Sequence, residues 1–202
     1  MMYLYFLPFY DEIYKSKIEI IRGKFSAEKE FLSDVGKLLA KFAASQKVGI
    51  PMRDITITKT SSGKPFFENI DGVYFSISHT DGAVAVALAE SEVGVDVEKI
   101  KEAPMKVAER LFSEDEIEYI EKNSDKNRAF FEIWTKKEAV AKQIGEGLKR
   151  EKLRQSIFER KIATFEKNGY IISACAEIED GVTVKEGFSE EFLKECERMI
   201  QE

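Results

Sequence analysis

The 202-residue chain is 44% hydrophobic and 34% charged, the balance of a water-soluble fold with one large core or two small ones. No apolar run approaches the roughly 20 residues that span a bilayer, and the net charge of −6 argues against a protein that coats nucleic acid through its phosphates. Cys175 and Cys196 are the only cysteines and His79 the only histidine. A His/Cys zinc site therefore cannot be assembled within the chain. Any metal must be held by carboxylates, which selects a hard ion such as magnesium. The thiols are expected to be buried and unpaired in a reducing, cytosolic compartment.

The opening Met1 to Leu7, followed by Pro8 and lacking a basic lead, reads as a first strand and not as a signal peptide. A helix is expected to open near Ser26. Phe31, Leu32, Val35, Leu38, Leu39 and Phe42 then recur at spacings of three and four, and Gly49 and Pro51 end it. Ile55 and Ile57 alternate with threonines as a half-buried strand. After Gly63-Lys64-Pro65, strands over 73–78 and 83–89 flank Asp81-Gly82, a dipeptide suited to a hairpin turn. A third strand over 93–97 completes an expected central meander.

Ser113 with Glu116 three residues on, flanked by Phe112 and Ile117, has the form of a capping box with a hydrophobic staple. A longer helix is expected over 128–143, stopped by Gly145 and Gly147. Strand patterns return over 162–165, 170–176 and 182–185, and a closing helix from Ser189 should bury Phe192 and Leu193. The fold class is α+β. The halves divide as 1–92 and 93–202, each a small antiparallel sheet packed on helix.

Three groups of residues carry potential chemistry. In Gly94-Val95-Asp96-Val97-Glu98, strand alternation sends the valines to one face and both carboxylates to the other, about 7 Å apart along the strand. Taken alone, the pattern reads first as a solvated polar face. In Trp134 to Lys142, helical spacing places Trp134, Glu138 and Lys142 on one face. A surface Glu138–Lys142 pair, worth about 0.2–0.5 kcal/mol, would be the bland account. If Glu138 packs over Asp96 and Glu98, each pair at about 4 Å repels by roughly 4 kcal/mol at an effective dielectric near 20. A divalent cation would relieve that repulsion. Ser78-His79, at a strand end entering a turn, offers short donors suited to phosphate oxygens. A metal-dependent nuclease uses a similar set of carboxylates and lysine, although the acidic balance and the Ser-His turn speak against one.

In order, Gly63-Lys64-Pro65, Ser78-His79, Gly94 to Glu98, Phe112-Ser113 with Glu116, and Trp134 to Leu148 resemble the 4′-phosphopantetheinyl transferase superfamily. The likeness is closest to its monomeric, pseudo-dimeric type that activates peptide and polyketide synthetases. The resemblance implies two similar halves with an active site between them. It also implies transfer of the phosphopantetheine arm of coenzyme A, the co-substrate, to a serine of an apo acyl, peptidyl or aryl carrier protein. On the same basis Asp96, Glu98 and Glu138 would hold Mg²⁺, with Mn²⁺ as an alternative. Lys64, Pro65, Ser78 and His79 would bind coenzyme A, and Lys142 would meet the pyrophosphate. Asp96, Glu138 and Lys142 would carry the catalysis, with Glu138 a candidate base. Relatives often hold a 3′-phosphate with N-terminal basic residues, for which Arg22, Lys24, Lys29 and Lys41 are candidates. Expected partners are coenzyme A and a carrier protein, with neither nucleic acid nor membrane. A fold of this type that only binds carriers or coenzyme A is the alternative.

Overall fold

In the computed structural model, which describes residues 1–8, 31–147, 149–177, 181–186 and 190–201, side-chain periodicity sorts the chain into four layers. The helix start near Ser26, Arg22, Lys24, Lys29, Leu148 and Ser189 lie outside the described residues.

The first sheet has the order β4-β5-β1-β9, formed by β1 (Met2–Pro8), β4 (Tyr74–Thr80), β5 (Ala83–Ala89) and β9 (Val182–Glu186). Strand β5 reads Ala-Val-Ala-Val-Ala-Leu-Ala and is buried throughout, so its two faces differ in bulk. Val84, Val86 and Leu88 pack with Val35, Leu39 and Phe42 of α1 (Phe31–Val48). The alanines face the second sheet, where Ala83, Ala85, Ala87 and Ala89 share a cluster with Val93, Val95 and Val97. Small side chains on this face suit close approach of the two sheets.

The short β2 (Ile57–Lys59) and β3 (Pro65–Phe67) pair with each other in a separate ribbon. The second sheet has the order β6-β8-β7, from β6 (Val93–Lys99), β7 (Ala163–Lys167) and β8 (Tyr170–Ala176). Its outer face is covered by helices. Ile171 and Cys175 cluster there with residues of α2 (Met105–Leu111), α3 (Glu114–Lys122) and α4 (Lys126–Ile144). A one-turn helix α5 (Arg150–Leu153) follows, and α6 (Glu190–Gln201) closes the chain.

The α+β class, with two sheets each backed by helix, matches the expectation of a pseudo-dimer. Three details differ from the sequence reading. Strand β6 does not complete a meander, because β5 pairs with β4 and β1 while β6 pairs with β8. The pairing of β1 with β9 is parallel, within sheets that are otherwise antiparallel. The C-terminal end also returns to the first half, where Phe192, Leu193 and Cys196 enter the core beneath α1. Only a crossover can make a parallel pair, and the chain from β1 to β9 is one long crossover.

Helix limits follow local chemistry. Gly49, at φ +75°, closes α1 with its N–H on the Ser45 carbonyl. Asp125 caps α4 by accepting from the Arg128 N–H, and Gly145 ends it in the left-handed region where glycine costs least. Ser113 caps α3 while Glu116 accepts its backbone N–H at 2.8 Å. Both cysteines are free and buried, and burial pushes each thiol up to about 12. Among the described residues no helix is long and apolar enough to cross a membrane.

Candidate active site

The two sheets meet edge to edge along β4 and β6, and there the backbone ladder is replaced by hydroxyls. Ser76 Oγ accepts the Val95 N–H at 3.2 Å and Ser78 Oγ the Val97 N–H at 3.3 Å. Alternation on β4 turns both serines toward β6. Ser78 also donates to Asp96 Oδ1 at 2.8 Å and receives the Lys142 ammonium at 2.8 Å. A hydroxyl has one proton and two lone pairs, so Ser78 is fully committed to the seam.

Asp96 is buried, 4% exposed, which is incompatible with a solvated polar edge. Its Oδ1 takes hydrogen bonds from Ser78 and, at 2.7 Å, from Lys142. Oδ2 is buried without a partner. Burial pushes the carboxyl above the usual range, against the pull of Lys142 and Ser78. An orphaned anionic oxygen is costly, and a hard cation is its natural complement. Glu98, two residues on, accepts from Thr80 Oγ1 at 3.2 Å. It is raised by partial burial and then by the charge of Asp96.

Helix α4 brings the third acid. Glycine at position 94 lets the helix lie directly on β6: a Cβ there would stand 1.8 Å from the Ala139 carbonyl oxygen and 2.6 Å from the Gln143 nitrogen. Those residues directly follow Glu138 and Lys142, and Lys142 reaches Asp96 Oδ1 at 2.7 Å, while Glu138 lines an adjoining cleft with it. The Glu138 carboxyl is pushed up to about 7, first by burial, then by Asp96 and more weakly by Glu98, with Lys142 opposing. Glu138 therefore senses both other acids. Among the described residues, however, no three His, Cys, Asp or Glu side chains are already gathered as a metal cage.

Beside Glu138 and Lys142 opens a cleft of about 240 Å³ whose lining includes Lys64, Pro65, Ser76 and Gly145. Lys64 Nζ is ion-paired to Glu92 and donates to the Gln143 carbonyl at 2.6 Å, so the Gly63-Lys64-Pro65 turn is tied to the end of α4. His79 faces away from Ser78 and is exposed. Partial loss of hydration and the Lys142 charge hold its imidazole below the usual range, with Asp96 opposing. Lys41 lies on α1, held below the usual range by partial burial, and it does not line the cleft.

Sequence reasoning missed the roles of Ser76, Thr80 and Gly94 in this arrangement. The alternation of Ser76, Ser78 and Thr80 against Val95, Val97 and Glu98 was the available signal. It becomes readable only once β4 and β6 are known to be neighbours.

Two family models cover most of the chain. Residues 13–92 match 4′-phosphopantetheinyl transferase, N-terminal, and residues 92–184 match the 4′-phosphopantetheinyl transferase superfamily. The chain is 36% identical over 120 residues to 4′-phosphopantetheinyl transferase gsp of Aneurinibacillus migulanus, covering 58% of this chain and 50% of that protein. It is 30% identical over 155 residues to psf-1 of Bacillus pumilus, covering 70% and 66%. It is 29% identical over 145 residues to Sfp of Bacillus subtilis strain 168, covering 71% and 63%. The matches thus span half to two thirds of the length of these relatives. With both halves matched and a site at the seam between them, this chain belongs to the 4′-phosphopantetheinyl transferase superfamily.

Proposed function

We propose that this protein transfers the 4′-phosphopantetheine moiety of coenzyme A to a serine of an apo carrier protein and releases 3′,5′-adenosine bisphosphate. Family membership supports the reaction class. The observation that carries the reading is the position of Glu138. Its carboxyl, pushed up to about 7 by burial and by the charge of Asp96, lines the same cleft as Lys142 and Lys64, and Lys142 in turn holds Asp96, whose other oxygen is unpartnered.

In this reading the carrier serine oxygen attacks the β-phosphorus of coenzyme A, and the bond to the α-phosphate oxygen breaks. Glu138 accepts the serine proton, directly or through one water, because a serine hydroxyl is a poor nucleophile until a base takes its proton. Lys142 moves its ammonium from Asp96 toward the leaving phosphate. Lys64 and His79 hold the nucleotide end, Pro65 shapes the wall beside it, and Ser78 keeps Asp96 in place from beneath. Asp96, Glu98 and Glu138 would hold a divalent cation, Mg²⁺ or alternatively Mn²⁺, which when bound screens the pyrophosphate and aligns attacker with leaving group. Mg²⁺ is usually bound by one or two carboxylates with substrate phosphates completing its shell, so a closed protein cage is not required. The partners are coenzyme A and an acyl, peptidyl or aryl carrier. The protein is proposed to act as a cytosolic monomer, without nucleic acid or membrane.

The test is intact-mass analysis of several apo-carriers incubated with the protein, coenzyme A and Mg²⁺. At least one carrier should gain a single phosphopantetheine, and none should with Asp96→Ala. Coenzyme A binding with no gain on any carrier would reduce the protein to a binding module.

A further inference from the structure

On a face of α4 about 100° round from Glu138, a second pair of charges is buried more deeply than the site itself. The Lys137 and Glu116 side chains are 2% and 0% exposed and meet at 2.7 Å. The three N–H bonds of Lys137 are all used, on Glu116 and on the carbonyls of Leu153 at 2.6 Å and Gln155 at 2.9 Å. Both oxygens of Glu116 are also engaged. Oε1 accepts the Ile157 N–H and Oε2 the Ser113 N–H, each at 2.8 Å. One ion pair thus joins the start of α3, the middle of α4 and the segment after α5.

Stability alone does not account for such a pair, because apolar residues of similar volume at both positions are often as stable or more so. An apolar contact, however, is non-directional, whereas five hydrogen bonds around two charges fix an orientation. Successive residues on a helix differ by about 100° in azimuth. With Lys137 pinned on one side, Glu138 is turned toward β6 and its acids.

We propose that Lys137 and Glu116 are positioning residues for the transfer reaction, setting the rotation of α4 that aims Glu138 into the site. This rests on the transferase reading. It predicts a loss in turnover that is separable from any loss of fold, since misplacing a reacting group by about 1 Å can cost on the order of 100-fold.

Lys137→Met alone leaves Glu116 buried without its partner and is expected to unfold, so two other variants serve. The double variant Lys137→Met with Glu116→Gln removes both charges. Glu116→Asp keeps both and shortens the reach. Melting temperature, kcat and the KM for coenzyme A are measured for each on a carrier that the wild type modifies. The expected result is melting within a few degrees of wild type, kcat lower by about tenfold or more, and KM within about twofold. Wild-type kcat in either folded variant, or a loss confined to KM, overturns the proposal. If the double variant does not fold, Glu116→Asp decides by the same criteria. A wild type that modifies no carrier removes the transferase reading itself and this proposal with it.

Discussion

Glu138 is ionised at a cost that its surroundings impose, and the sign of that cost is testable. The carboxyl is raised from 4.5 to about 7 in the folded protein, so below pH 4.5 it is protonated in both folded and unfolded chains. Between 4.5 and about 7 the unfolded chain releases the proton first, and stability falls as pH rises through that window. Above 7 the full cost is present. In metal-free protein, Glu138→Gln should therefore raise stability at pH 8 by about 1–3 kcal/mol, discounted for partial exposure, and leave it nearly unchanged at pH 4. The same variant should lower transfer by about 100-fold or more. Denaturant melts at the two pH values, with carrier mass analysis, check both parts. A variant destabilised at pH 8 would mean that Glu138 is a structural hydrogen-bonding residue.

Ser78 gives a contrasting case at the same scale. Its hydroxyl serves Asp96, Val97 and Lys142 at once. Ser78→Ala should cost about 1–3 kcal/mol by leaving buried partners unsatisfied, readable as a lower denaturation midpoint at unchanged slope. The acids themselves were legible from strand and helix periods. The commitment of Ser78 to the seam was not, because a Ser-His turn offers no sign of which groups its hydroxyl faces. Lys137 was equally hidden. A lysine within a charged helical run reads as solvated, and its burial depends on Glu116, twenty-one positions away.

Among elements, the apposition of α4 on β6 sets the site. Gly94 is the point where helix backbone and strand backbone touch, and any side chain there must lift the helix. Gly94→Ala should destabilise by about 1–3 kcal/mol or more and weaken transfer beyond what the residual folded fraction explains. Activity corrected for folded fraction, measured by near-UV circular dichroism, is the check; wild-type specific activity would show that helix height above β6 is not critical. The elements themselves were largely readable. The caps at Ser113 and Gly145, the hairpin at Asp81-Gly82 and the α1 stripe all fall where local chemistry placed them. Pairing between distant strands was less so. Nothing in the alternation of 93–97 says that its partner is β8 and not β5, since both offer an apolar face of the same period.

For the whole molecule, the four-layer stack explains why the site lies at a seam. Each sheet gives one face to helix and one to its counterpart, so only their edges remain to meet at β4 and β6. The return of β9 and α6 to the first sheet binds the two halves into one stability unit. Phe192 is 1% exposed and stacks edge-on to Phe42 at 5.3 Å. Phe192→Ala should cost about 3–5 kcal/mol and lower the melting of both halves together in a single transition. Two separated transitions would contradict that coupling. The closing helix was visible in the sequence as an amphipathic pattern, but its destination was not, since an apolar stripe does not name the face it will cover.

The proposed transfer depends on Asp96, Glu98 and Glu138 serving one cation together. Manganese titrated in the presence of coenzyme A, with free ion followed by electron paramagnetic resonance, reads this directly. Wild-type protein should bind one ion per chain, and Asp96→Asn, Glu98→Gln and Glu138→Gln should each weaken it by about tenfold or more. A folded Glu138→Gln that binds manganese as tightly as wild type would contradict a shared site.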